Sequence, residues 1–182
     1  MRAAEYHGAS HQASMVFQVI APRQLRPIQI GRHKVQFIFQ SPRRFKYVNK
    51  PEWLVQMKSS SGFAKVAGVE LTLFDCSRYF RKTAGLDYVA QIVKDIGGSA
   101  DSINLSALAT ANENTTLRRL GYLLDNMGHH DQAAALLPFV SRAKSLKPLD
   151  PSISDLPNEF ALKNEVNSKW KLVINQKLAT DY

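Results

Sequence analysis

Residues 114–127, which read NTTLRRLGYLLDNM, decide the fold. Their apolar residues recur at helical intervals: Leu117, Leu120, Leu124 and Met127. This spacing places them along one side of an α-helix, where they can be buried together. Asn114 or Thr115 is a suitable N-cap, and Gly128 is a suitable stop. The stretch therefore predicts an amphipathic helix packed against a core.

Helical spacing continues on both sides of this stretch. Further helices are predicted to start near Val69, at Asp101 or Ser102, and at Asp131, and the spacing that begins near Val69 continues through Leu86, Val89 and Val93. Gly97-Gly98 is expected to end the first of them, since glycine is frequent just after a helix. Residues 69–145 are therefore predicted to form a helical part.

The sequence outside the helical part favours strands. Stretches rich in β-branched and aromatic residues lie at 16–20, 28–30 and 34–39. Residues 170–174, WKLVI, predict a final strand that joins the same sheet. The predicted fold class is α+β, with a small mixed or antiparallel sheet from the N-terminal strands plus a C-terminal strand. A cluster of about four or five helices is expected to pack against this sheet.

Residues 41–47, SPRRFKY, interleave aromatic side chains with cations. Phe45 and Tyr47 have the chemistry to stack on exposed bases. Their alternation with Arg44 and Lys46 fits equally well a strand with an aromatic face and a cationic face. For Phe45 and Tyr47 we favour the strand over base stacking. The cations of this stretch are still predicted to contact nucleic acid.

Positive charge is concentrated at the start of the chain. The formal net charge is +9, and residues 1–58 hold ten basic and two acidic residues, whereas the remainder is nearly balanced. Such clustering repels itself and favours a polyanionic partner. The predicted nucleic-acid contacts are Arg23, Arg26, Arg32, Lys34, Arg43, Arg44 and Lys46. A merely solvated basic surface is the alternative interpretation.

The residues that could serve in catalysis or metal binding do not form a pattern typical of an active site or a metal site. His129-His130-Asp131 is the densest group of metal-type ligands, but adjacent residues point in different directions and no second pair with zinc spacing follows. Cys76 lies among apolar residues, which predicts a buried thiol, and no glycine-rich phosphate loop is present. We expect a non-enzymatic protein with no cofactor and no metal. The His-His-Asp group is the only feature that favours the alternative hypothesis of an enzyme that acts on nucleic acid.

Three features of the sequence bear on the cellular compartment of the protein. No run approaches the roughly 18 apolar residues of a membrane span. The N-terminus has no apolar signal region, and the single cysteine forms no internal disulfide. The expectation is a cytoplasmic protein without membrane contact.

Several segments, taken in order, resemble one known family. They are residues 3–8 (AAEYHG), Leu73 to Asp75 after Glu70, residues 84–87 (AGLD) with Val89-Ala90, residues 119–124 (RLGYLL) and residues 167–175 (NSKWKLVIN). The pattern is similar to that of AbiEi-type antitoxins and related transcriptional regulators of type IV toxin–antitoxin systems. The arginine of the family's Glu-Arg-Thr-Leu-Leu-Asp-like helix is missing here.

The resemblance implies a single antitoxin effector domain over 1–182. It comprises a basic β-rich part (1–58), the helical part (69–145) and a loop with a closing strand (148–182). The family's N-terminal winged helix is expected to precede this region and to be absent from the chain.

The same resemblance implies that the protein neutralises a nucleotidyltransferase-type toxin, directly or indirectly, in abortive infection. It also binds DNA as an auxiliary in operon autoregulation, weakly and without sequence preference. A DNA-binding regulator without a toxin partner is the alternative function. Arg118 and Arg119 are predicted either to contact a partner or to form ion pairs with nearby carboxylates.

Overall fold

A computed structural model describes residues 2–9, 16–59, 62–153 and 165–179. The helices are α1 (Arg2–Tyr6), α2 (Pro42–Val48), α3 (Val69–Arg78), α4 (Leu86–Ile96), α5 (Ser102–Ala109), α6 (Asn114–Asn126), α7 (His130–Ala134) and α8 (Leu137–Val140). The strands are β1 (Val16–Ala21), β2 (Ile28–Ile30), β3 (His33–Phe39), β4 (Leu54–Ser59), β5 (Gly62–Ala67), β6 (Lys147–Pro148), β7 (Glu165–Asn167) and β8 (Leu172–Ile174). The predicted α+β class is confirmed.

The N-terminal strands form a mixed sheet in the order β1-β3-β2. β1 runs parallel to β3, and β2 runs antiparallel to β3 on its other side. Residues 22–27, an exposed connection that begins and ends with proline, carry the chain between the two edges. Of the two predicted arrangements, mixed or antiparallel, the N-terminal sheet is therefore mixed. The neighbouring hairpin, β4 with β5, is a separate two-stranded sheet.

The basic-aromatic stretch is a helix, so the strand predicted there is wrong. Ser41 caps α2 by accepting a hydrogen bond from the backbone N–H of Arg44, at 3.4 Å. Pro42 occupies the first helical position, where its missing N–H costs nothing. Five alternating residues fit either period, and the capping serine and the proline favour the helix.

The core lies among the helices. In α6, Leu117, Leu120 and Leu124 are buried as predicted, with Met127 packed against them. Asp101 caps α5 by accepting from the N–H of Asn104, which confirms that prediction. The residue before α6 is instead Glu113, whose side chain makes no capping bond.

Other helix boundaries differ from prediction. The helix expected to start at Asp131 begins one residue earlier, at His130, and is followed by the separate α8. Pro138 supplies no N–H and stands in the first turn of α8, where a proline is tolerated.

The closing strand belongs to a third sheet, ordered β6-β8-β7, and does not join the N-terminal sheet. β8 pairs in parallel with Lys147 and Pro148, and antiparallel with β7. Trp170, which is fully buried, anchors this sheet against α6 by donating from Nε1 to Oδ2 of Asp125 at 2.8 Å. Across the described residues, the helices are all too short or too polar to span a bilayer.

Candidate nucleic-acid interface

Six of the seven predicted cations are exposed. Arg23 and Arg26 lie in the connection between β1 and β2, and Arg32 follows Gly31 in the β2–β3 turn. Lys34 lies near the start of β3, and α2 carries the last two. We call these six residues the basic surface: Arg23, Arg26, Arg32, Lys34, Arg43 and Lys46.

The basic surface follows the length of β3. Arg32 and Lys34 lie at the amino end of this strand, and α2 starts just beyond its carboxyl end. Arg23 also lies toward the carboxyl end, because Ala21 pairs with Phe39 in the parallel register. A strand of seven residues is about 23 Å long at roughly 3.3 Å per residue. The cations are therefore spread over a distance comparable to several base pairs of duplex.

None of these six side chains pairs with a carboxylate within the described parts of the chain, unlike cations elsewhere. Lys50 lies 3.5 Å from Glu52, and Arg78 lies 2.6 Å from Glu113. Unneutralised charges of one sign produce a positive field that attracts polyanions.

Arg44 is the exception, and its predicted contact role is wrong because the side chain is buried. Only 7% of the residue is exposed. Its Nη2 donates to Oδ1 of Asp75 at 3.2 Å, and its Nη1 donates to the Ala111 carbonyl. Burial raises the pKa of Asp75 above its ordinary value, although Arg44 lowers it. Arg44 therefore fixes α2 to α3 and is not available to phosphates.

The aromatic residues of α2 face the protein. The Tyr47 hydroxyl lies 3.3 Å from the Ala107 carbonyl and 3.1 Å from Oγ1 of Thr110. Phe45 is half-buried. The Tyr47 ring serves packing, as the preference against base stacking anticipated, but it does so from a helix.

Arg118 and Arg119 are also buried. They neither form an exposed partner site nor form ion pairs with carboxylates of the described residues, so both predicted roles are wrong. Arg118 donates to the carbonyls of Ser145 (2.7 Å) and Lys171 (3.1 Å), and Arg119 donates to those of Leu149 (3.0 Å) and Ser77 (3.1 Å). Burial lowers the pKa of Arg119 to about 10. Both guanidinium groups thus tie the helices to the C-terminal segment. Backbone carbonyls from distant segments leave no signal in the sequence.

The His-His-Asp group does not converge. His129 makes its hydrogen bond to the Lys94 carbonyl, and His130 to Asp125, each at 3.1 Å. No cluster of three potential metal ligands occurs among the residues whose placement is described. Cys76 is buried as predicted, and burial raises the pKa of its thiol to about 12.

A cleft of about 820 Å³ lies between the N-terminal sheet and the β4–β5 hairpin, and sequence analysis missed it. α1, α2 and α3 complete its walls. The residues that line the cleft are up to 73 positions apart in the sequence, from Arg2 to Asp75. No local sequence pattern therefore predicts the cleft.

Fold and charge together define a small α+β domain with a basic surface. A family model described as the AbiEi antitoxin C-terminal domain matches residues 1–126. The chain belongs to this family, as the resemblance indicated, and its role is that of an antitoxin. The match ends with α6, so the closing-strand resemblance stays a prediction. Neither curated proteins nor solved structures yielded a match.

Proposed function

We propose that this antitoxin counteracts a nucleotidyltransferase-type toxin, without enzymatic activity of its own, and that its basic surface binds DNA as an auxiliary in operon autoregulation. Family membership supports the antitoxin part. The basic surface supports the DNA part, because six exposed cations, none paired with a carboxylate of the described residues, follow one strand.

That distribution of charge is the observation that carries the DNA part. Each phosphate neutralised by an arginine or lysine releases condensed counterions, so binding weakens as salt rises. Such contacts position a protein on a duplex but carry no sequence information. The predicted binding is therefore weak, salt-sensitive and indifferent to sequence.

The test is a salt titration of binding to two 20-base-pair duplexes of unrelated sequence. If all six cations contact phosphates, the slope of log K against log salt is about −5, at roughly −0.9 per contact. Arg32→Ala with Lys34→Ala should make the slope shallower by about 1.8, because two contacts are lost.

The matched control removes two exposed cations outside the basic surface, Arg142 and Lys144, by the same alanine substitutions. Their loss lowers net charge equally but should leave the slope within about 0.5 of the parent, since no contact is removed. Equal slopes for both double variants would place the contact elsewhere.

A further inference from the structure

The cleft between β1 and β5 is bordered by two open strand edges. In the described part of the chain, β1 pairs with β3 alone and β5 with β4 alone. Residues 17–20 of β1 and residues 64–67 of β5 all line the cleft. Successive side chains of a strand point to opposite faces, so a cavity touching four consecutive residues lies beside the edge. Unpaired edges offer backbone N–H and C=O groups to another strand.

One end of the β5 edge is already occupied. The Ala67 carbonyl accepts a hydrogen bond from Oγ1 of Thr72 at 3.2 Å and lies 2.7 Å from Nε2 of His7. The Gly68 N–H donates to the Trp53 carbonyl, so in this antiparallel register Val66 and Ala64 turn their backbone groups toward β4. Lys65 is the residue between them whose N–H and C=O face the open edge.

The walls of the cleft are mainly apolar. Phe45, Val48 and Leu71 contribute apolar surface. Arg2, His33 and Gln40 also line the cleft, and each has one buried side-chain atom without a hydrogen-bond partner in the described structure: Nε, Nδ1 and Oε1 respectively. These three atoms are shielded from solvent, so they do not select the ligand, and the apolar walls favour apolar side chains.

Charge further defines the ligand. Among the charged residues of the lining, Arg2 pairs with Glu5 at 2.9 Å, and Asp75 pairs with Arg44. Lys65 is exposed and has no ion pair with the described residues. The cleft therefore carries one uncompensated positive charge on the β5 edge.

We propose that the cleft binds an extended peptide segment of a partner protein by strand addition. The peptide backbone pairs with the open edges of β1 and β5, its apolar side chains occupy the cleft at alternate positions, and a carboxylate pairs with Lys65. Backbone pairing supplies affinity and the pockets supply specificity in this mode of recognition. The cleft volume of about 820 Å³ lies within the range of ligand sites.

The test selects 12-residue peptides from a random phage-displayed library on the immobilised full chain, then measures their binding by fluorescence anisotropy. Selected peptides should alternate apolar residues and contain Asp or Glu. Ala64→Trp, which fills the cleft from the β5 edge, should weaken binding at least tenfold. Gln56→Trp should change binding less than twofold, because Gln56 is exposed on β4 and does not line the cleft.

Two further measurements separate strand addition from other occupants. Proline at central peptide positions should weaken binding at least tenfold, because it removes an N–H from the ladder. Lys65→Glu should weaken binding about threefold or more, and it remains informative if circular dichroism shows that Ala64→Trp unfolds. The proposal is overturned if no peptide is selected, or if none of these substitutions changes the affinity of the selected peptides. Proline-insensitive binding would indicate an apolar pocket, and dimerisation through the cleft without peptide selection would indicate a second copy; either also overturns it.

Discussion

Arg44→Ala is expected to lower the free energy of unfolding by about 3–5 kcal/mol, the usual cost of breaking a buried ion pair. Its partner, Asp75, is only 6% exposed, so loss of the guanidinium leaves a buried carboxylate without its ion-pair partner. The Ala111 carbonyl loses a donor at the same time. Urea denaturation followed by circular dichroism measures the effect.

Arg43 provides the matched control at the neighbouring position of α2. It is exposed, so Arg43→Ala should change the free energy of unfolding by less than about 0.5 kcal/mol. It should instead make the salt slope of DNA binding shallower by about 0.9, one phosphate contact. Equal stabilities for the two alanine variants would contradict the assignment of Arg44 to the interior.

The destabilisation by Arg44→Ala should also depend on pH. Burial raises the pKa of Asp75, and Arg44 opposes that rise. Without Arg44 the folded-state pKa rises further, so the folded variant takes up a proton more readily than the unfolded chain. Protonation removes the unpaired charge, and the stability lost in the variant should therefore shrink as pH falls from 7 toward 5. A loss that is constant over this interval would indicate that Asp75 is not the source.

Gly121→Ala is expected to destabilise the protein by about 3 kcal/mol, although alanine is intrinsically better in helices by about 1 kcal/mol. A Cβ at position 121 would lie 2.1 Å from Cζ3 and 2.2 Å from Cη2 of Trp170. That ring is fully buried and cannot move without losing its bond to Asp125. Thermal or urea unfolding at pH 7 measures the loss.

A double-mutant cycle distinguishes this clash from a general effect on α6. Trp170→Leu removes the ring atoms that the new methyl group would meet, so Gly121→Ala should cost less in that background. A coupling of about 1–3 kcal/mol is expected for residues in direct contact. Additive losses would show that the close approach of α6 and Trp170 does not limit the substitution.

Local patterns predicted those features that local chemistry determines. The apolar stripe of α6 and the Asp101 cap depend on residues within a few positions of one another. The stretch 41–47 misled because five residues satisfy both strand and helix periods, and its Ser41-Pro42 start was the better signal.

Long-range pairing explains the remaining errors. Short strands such as β8 carry too few residues to specify which neighbour they join, so the third sheet was not foreseen. Arg44, Arg118 and Arg119 resemble exposed cations in sequence, because their partners lie between 27 and 67 positions away apart from one local bond. Among the predicted contact residues, six are exposed as expected, whereas the burial of Arg44 was not predicted.

Growth of cells that express a nucleotidyltransferase-type toxin from the chain's genomic neighbourhood tests the proposed function most directly. The toxin is induced alone or together with the chain, and soluble chain is verified by immunoblot. We expect growth arrest with the toxin alone and restored growth when the folded chain is present. Undiminished arrest in the presence of soluble, folded chain would contradict it.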